Sequence, residues 1–400
     1  MSWEIVNPSS APAKLCAFAD SSFFSYTYAL SRTLMSDAEA RQYPDLVALG
    51  YWLRKSNIQE LADRYQNLSL RPLGKVFHAA PGNVDSLFVY SGILSLLCGN
   101  INIIRLSNKY GGSAEVLCRL LAELAVEHPD ATARFQLIRC ERHDPYLREL
   151  QANIDGRILW GSNEGVQALR QVPMPAHTRE LVFAHKLSFC VLGIDAVLRA
   201  TDAELNEVVV GFARDNLTFA QQACASAKLI LWLGEKVKCN EAQGRFWRFF
   251  GDYMGAEVLG NEGGLSAVTA RDKYQLTESE HYQALNNAQD MAMSGIIDSK
   301  IEYTTGVLRA WTNSFHNSFT ESHQGSGLFV ETQIERLTDL NEYLTPNHQT
   351  LSYWGVDSID EWHKQCLVGV DRVVPIGQAL NFDVVWDGLD LVRALGRESV

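Results

Sequence analysis

The sequence predicts an α/β protein: a doubly wound parallel sheet followed by a second α/β block that carries a thiol. Three observations predict it. From about residue 74, short apolar runs alternate with amphipathic stretches. A second set of helices and strands begins near residue 195. The composition, 46% hydrophobic and 20% charged over 400 residues, is that of an ordinary globular chain. At roughly 100–200 residues per domain, this length accommodates two or three domains.

Residues 1–70 read as a mainly helical lead-in, with helical apolar spacing from Asp45 to Leu53. Lys75-Val-Phe-His-Ala is the first strand and runs into the turn Pro81-Gly-Asn. An apolar helix from Ser86 to Cys98 stops at Gly99, and Asn102-Ile-Ile-Arg-Leu is the second strand. Ser113 can cap a helix over Ala114–Glu127. Phe135-Gln-Leu-Ile-Arg and Arg157-Ile-Leu-Trp are the third and fourth strands, the latter ending in Gly161-Ser162 before a helix from about Asn163. In the second block, Asp202 can cap a helix to about Arg214. A turn of small residues around Cys224 precedes the strand Lys228-Leu-Ile-Leu-Trp-Leu, and a helix follows over about Glu241–Met254. Leu351–Trp354 and Asp371–Ile376 return to short strands. The expected boundaries are 1–194, 195–365 and 366–400, with the last segment packing back on the first domain.

Charge and cysteine usage exclude several classes. Acidic residues outnumber basic ones 47 to 35, a net charge of −12, and the Lys and Arg are scattered, so a nucleic-acid binder is not expected. No apolar run approaches the roughly 20 residues that span a bilayer, and the start lacks a secretory pattern, so the expectation is a cytoplasmic protein. The eight cysteines include no Cys-x-x-Cys pair, which argues against a zinc ribbon and a disulfide scaffold. No metal site and no serine elbow is expected.

Four local features carry chemistry. Cys224 sits among Ala and Ser just before an apolar strand. Small neighbours leave room for a substrate, and Gln221, Gln222 and backbone N–H groups are available to an oxyanion. The alternative is a small buried hydrophobe. Asn83 follows a strand in Pro81-Gly-Asn and can donate to an oxyanion; the alternative is an ordinary turn residue. His78, on the strand before it, reads as a satisfied strand histidine rather than a base, and is grouped with the cofactor-binding candidates by position. Gly161 and Ser162 at a strand-to-helix junction can approach a pyrophosphate or a nicotinamide. Arg105 and Lys109 flank a strand end and can hold a ribose 2′-phosphate; the alternative is two solvated cations.

In this order the features resemble the LuxC-type acyl-CoA reductase family, within the aldehyde dehydrogenase superfamily. The resemblance runs from about Pro44 to the C-terminus. It is carried by Phe77-His-Ala-Ala-Pro-Gly-Asn-Val, Gly99-Asn-Ile-Asn-Ile-Ile-Arg-Leu, the Cys224 segment, and the stretch from Val370 to Gly388. It implies an aldehyde-dehydrogenase-like fold with an NAD(P)-binding first domain and a catalytic thiol domain. The resemblance also assigns roles: Cys224 as nucleophile, Asn83 as oxyanion donor, Gly161-Ser162 at the nicotinamide end, and Arg105-Leu-Ser-Asn108 at the adenosine ribose. Val182 stands where hydrolytic members carry a water-activating Glu, which suits an enzyme whose acyl-cysteine must not meet activated water. Asn108 replaces a ribose-binding Glu, which favours NADPH over NADH. The implied activity is NAD(P)H-dependent reduction of an acyl-CoA or acyl-protein thioester to an aldehyde. A synthetase that supplies acyl-protein is an implied partner, and a homo-oligomer is implied. The alternatives are aldehyde oxidation and a non-catalytic acyl carrier or scaffold.

Overall fold

The computed structural model describes residues 3–80, 86–106, 112–141, 144–255, 270, 274–313 and 319–399. The chain divides into two units. Unit 1 is Met1–His185 with Phe382–Val400, and unit 2 is Lys186–Asn381.

Unit 1 is built on a six-stranded sheet: β1 (Trp3–Ile5), β3 (Lys75–Ala79), β4 (Ile101–Arg105), β5 (Phe135–Cys140), β6 (Gly156–Trp160) and β7 (Arg179–Phe183). A short β2 (Leu70–Pro72) lies outside it and pairs with β17 (Gly396–Glu398). The order is β1-β5-β4-β3-β6-β7, parallel except for β1 against β5. Strands buried on both faces read as continuous apolar runs, which is why β3, β4 and β6 were legible. α4 (Leu87–Leu97) has all eleven residues buried, so it shows no polar face, and it ends before Gly99 at φ +82°. α5 spans Gly112–Glu127. Ser113 therefore lies inside its first turn rather than capping it, and its hydroxyl donates to Asp45 at 2.8 Å. α8 (Asn163–Arg170) follows β6 and is capped by Ser162, whose Oγ accepts from the Gly165 N–H at 3.2 Å.

Unit 2 holds a seven-stranded sheet: β8 (Leu187–Gly193), β9 (Ala227–Leu233), β10 (Ile301–Thr304), β11 (Val307–Trp311), β12 (Leu328–Ile334), β13 (His348–Trp354) and β14 (Arg372–Pro375). The order is β10-β11-β12-β9-β8-β13-β14, and only β10 runs antiparallel to its neighbour. β9 shows how the sheet divides the core. Ile230 and Trp232 face helices α10 (Asp202–Leu217) and α11 (Lys236–Gly255), packing among Phe212, Phe246 and Phe250. Leu229 and Leu231 face the other side, towards Val330, Leu351 and the helix Glu278–Met293. Each such side chain, fully buried, contributes about 1.5–3 kcal/mol. The cap of α10 is Thr201 rather than Asp202: its hydroxyl accepts from Glu204 N–H while the Glu204 carboxylate accepts from Thr201 N–H.

The units change at 185/186 and 381/382, beside expected boundaries of 194 and 365. β8, a fully buried apolar run that opens the unit 2 sheet, accounts for the first difference. β14 pairs with β13 and keeps residues up to 381 in unit 2, which accounts for the second. Residues 382–400 close unit 1: Asn100 Nδ2 donates to the Leu395 carbonyl at 2.8 Å, and Leu391, Val392 and Leu395 are buried.

Candidate active site

In unit 1 the connections reverse direction between β3 and β6, which makes their carboxyl ends a topological switch point. Doubly wound sheets take ligands at such a switch point. Gly161 lies there, with φ +156°, and a Cβ placed on it would meet nothing within 4 Å. Its N–H is held by the Phe183 carbonyl at 3.2 Å, which fixes the turn. The neighbouring Glu164 carboxyl is held below its ordinary range by its own backbone N–H and by Ser162. An acidic first turn suits a neutral or cationic ring better than a pyrophosphate. On the other flank of β3, Arg105 ends β4, and its carbonyl accepts from Ala80 N–H at 2.9 Å. Its guanidinium is buried, donating through Nε and Nη2 to the Cys140 carbonyl at 3.2 and 3.1 Å. The sheet thus brings Arg105 and Gly161-Ser162 to one edge. Asn83, Asn108 and Lys109 lie outside the described residues.

His78 occupies a different setting from the one expected of a cofactor residue. It is fully buried; Nδ1 pairs with Ser91 Oγ and Nε2 with Asn102 Oδ1, both at 3.1 Å. Burial pushes its pKa down to about 4, so the ring is neutral. With both nitrogens engaged inside the sheet, it offers nothing to a dinucleotide, and its role is to tie β3 to β4 and α4. Val182 lies on β7 and packs against the apolar side chains under the sheet, so position 182 supplies no base.

In unit 2, Cys224 lies in the loop between α10 and β9. The loop is held hard. Ala220 and Gln221 both take left-handed backbone conformations, φ 49° and 61°, which non-glycine residues adopt only when their surroundings impose it. Gln221 supplies the restraint: fully buried, it donates through Nε2 to the carbonyls of Ala227 and Leu328, each at 2.8 Å, and accepts from Gly327 N–H at 3.0 Å. Gln222 Nε2 donates to Gln324 O and Ser326 Oγ, and Ser326 N–H donates to the Ala220 carbonyl at 2.9 Å. Both glutamine amides are therefore scaffold, where the sequence had offered them as oxyanion donors. Ser188 Oγ, on β8, donates to the Cys224 carbonyl at 2.5 Å. Gly325 comes so close that a Cβ there would sit 2.7 Å from the Gln221 oxygen.

Cys224 is one of three half-buried cysteines, with Cys16 and Cys366; the other five are buried. None of the eight is in a disulfide. Burial pushes the Cys239 thiol up to about 11 and the Cys190 thiol to about 12, and it raises Cys16, Cys98, Cys140 and Cys366 as well. These thiols hold their protons and are poor nucleophiles. Sequence reasoning did not single out Lys228, which is buried at the head of β9 with Nζ on the Gln221 carbonyl at 3.2 Å. A lysine inside a strand otherwise made of apolar residues was the available signal.

The model of the acyl-CoA reductase (LuxC) family matches residues 51–254, just over half of the chain. The chain belongs to the LuxC acyl-CoA reductase family. The matched region of this LuxC-family chain holds the unit 1 switch point and the Cys224 loop. The chain is 29% identical over 167 residues to the long-chain acyl-protein thioester reductase of Vibrio harveyi, covering 41% of this chain and 33% of that protein. It is 23% identical over 321 residues to the Aliivibrio fischeri protein of the same name, covering 78% of this chain and 60% of that one. The chain thus spans a third to three fifths of these relatives. Its fold is that of the aldehyde dehydrogenases. It superposes on a putative aldehyde dehydrogenase from Burkholderia cenocepacia with a TM-score of 0.66 at 14% identity, covering 95% of this chain and 86% of the other. It superposes on a lactaldehyde dehydrogenase with a TM-score of 0.63 at 14% identity, covering 91% and 79%. Among the described residues, no cluster of His, Cys, Asp and Glu could hold a metal ion, and no helix is long and apolar enough to cross a membrane.

Proposed function

We propose that this chain reduces an acyl thioester to an aldehyde through an acyl-cysteine intermediate on Cys224, with NADPH as the reductant and NADH as a poorer one. The observation that carries the reading is the restrained Cys224 loop inside the family-matched region, half-exposed while six other thiols are held protonated. The names of the relatives support the substrate class. The fit of a nicotinamide is supported by the bare Cα of Gly161 facing open space at the switch point.

The steps follow from the residues. The Cys224 thiolate attacks the thioester carbonyl. The Asn83 side chain and the Cys224 backbone N–H hold the tetrahedral oxyanion, and collapse expels the donor thiolate, CoA or a protein thiol. The acyl group is now bonded to Sγ. Val182 offers no base to activate water, so the intermediate survives. When bound, the reduced nicotinamide supplies a hydride to the acyl carbon. The resulting alkoxide collapses without needing a proton, releasing aldehyde and regenerating the Cys224 thiolate. Arg105 and Lys109 hold the ribose 2′-phosphate, with Asn108 in place of a repelling carboxylate. Gly161 and Ser162 hold the nicotinamide end.

Incubation with radiolabelled acyl-CoA tests the reading. Label should bind covalently, be released by hydroxylamine, and convert to aldehyde on addition of NADPH. Cys224→Ala should abolish both, a loss of at least about 10³-fold in turnover. Labelling and aldehyde formation that persist in the alanine variant refute the assignment. Acid formed from aldehyde and NADP+ without CoA refutes the role given to Val182.

A further inference from the structure

Lys228 has no part in the steps above, and its placement needs a reason. It is 3% exposed. In the β8–β9 ladder, Ser188 pairs with Ala227 and Phe189 with Leu229, so Lys228 is the extra residue of a bulge. Bulges re-aim a side chain out of the regular pleat, and they gather beside functional sites. Here the ammonium turns back over its own loop and donates to the Gln221 carbonyl at 3.2 Å, inside the turn that holds Cys224. Among the described residues no carboxylate pairs with it. Asp215, behind the loop, accepts from the amides of Gly377 and Ala379. Glu331, on β12, accepts from Trp232, Trp247, Gln243 and Arg309. The His323 ring is taken up by Leu328 O and Gly325 N–H. A buried cation without a counter-charge is strongly disfavoured. Burial lowers the Lys228 pKa, and the sulfur of Cys224 works against this.

We infer that Lys228 and Cys224 form an ammonium–thiolate pair, in which the buried Lys228 is a positioning residue that favours the thiolate form of the half-buried nucleophile. The inference rests on the role proposed for Cys224. The proton of Sγ resides on Nζ, and the pair carries no net charge. Acylation consumes the thiolate and leaves the ammonium facing a neutral thioester; collapse after hydride transfer restores the anion beside it. This arrangement supplies what a neighbouring histidine supplies in other thiol enzymes, without a base able to activate water.

The test is the pH dependence of Cys224 alkylation by iodoacetamide in the full chain, followed at that cysteine by mass spectrometry. Wild type is compared with Lys228→Met and Lys228→Arg, with thermal unfolding to confirm folding. An unperturbed thiol titrates near about 8.5. The wild-type midpoint should lie at least about one unit lower. Lys228→Met should raise it by about one unit or more, slowing alkylation at pH 7 about tenfold, and Lys228→Arg should recover most of the rate. A folded Lys228→Met protein whose profile overlays wild type overturns the pair. A wild-type midpoint at or above about 8.5 overturns it whether or not the variants fold. Midpoints that move as stated in a protein making no aldehyde from acyl-CoA support the pair and count against the proposed reaction instead.

Discussion

The two chemical ends of this chain are built in opposite ways. At the unit 1 switch point the protein removes side chains: a Cβ on Gly161 would meet nothing within 4 Å, and the exposed Ser162 spends its hydroxyl as a helix cap. At the unit 2 loop the protein adds them: Gln221, Gln222, Ser188, Ser326 and Lys228 all fasten the backbone around Cys224. The difference follows from what each end must present. A ligand-shaped crevice needs space and backbone. A nucleophile needs one atom held in one place, and that requires restraint from several directions.

This contrast can be broken from the loop side first, where the effects are largest. Gln221→Ala removes a buried amide that satisfies two carbonyls and one N–H. It should lower stability by about 2–4 kcal/mol in chemical denaturation, and turnover should fall further than the lost stability explains. A stable, active alanine variant would mean that the loop is held by other contacts.

The second effect belongs to unit 1. The unfolded chain takes up a proton at His78 near pH 6.5, whereas the folded protein does so near about 4. Stability is therefore fully present above pH 6.5 and is lost as pH falls from there to about 4, by up to about 3 kcal/mol. His78→Gln should flatten that slope, and a slope unchanged in the variant would place the titration elsewhere. The smallest stability effect is at the switch point. Gly161→Ala meets no protein atom, so unfolding should shift by only about 1 kcal/mol from backbone strain, while NADPH affinity measured by calorimetry drops roughly tenfold or more. Unchanged affinity would move the nicotinamide away from Gly161.

The first unit was legible because strands buried on both faces leave plain apolar runs between helices. Lys75–Ala79, Phe135–Cys140 and Gly156–Trp160 announce themselves in this way. β8 is as apolar as these, yet at the start of a new block it reads equally as the end of the old one. β10 and β11 form a hairpin in a stretch dotted with glycine and serine, where Thr305 and Gly306 take positive φ, and periodicity alone does not reveal it. At the site, residue types were readable and their duties were not. Gln221 looks like a donor for substrate until its amide is found joining β9 to β12. His78 reads as a satisfied strand histidine grouped by position with the cofactor residues, and its partners, Ser91 and Asn102 on both nitrogens, emerge only in the fold. Lys228 is visible in the sequence as a lone cation at the head of an apolar strand, but the ladder shift that aims it over its own loop is a long-range feature that local sequence does not encode.

The closing strand β17 has a consequence for synthesis. It pairs with β2, and Asn100 hydrogen-bonds to Leu395, so unit 1 lacks this seam until residues 395–398 have been synthesised. Unit 2 is one continuous stretch, Lys186–Asn381, and can be finished earlier. Unit 2 can therefore complete its sheet during translation before β2 and Asn100 meet their partners, against the usual order in which the earlier-made portion folds first.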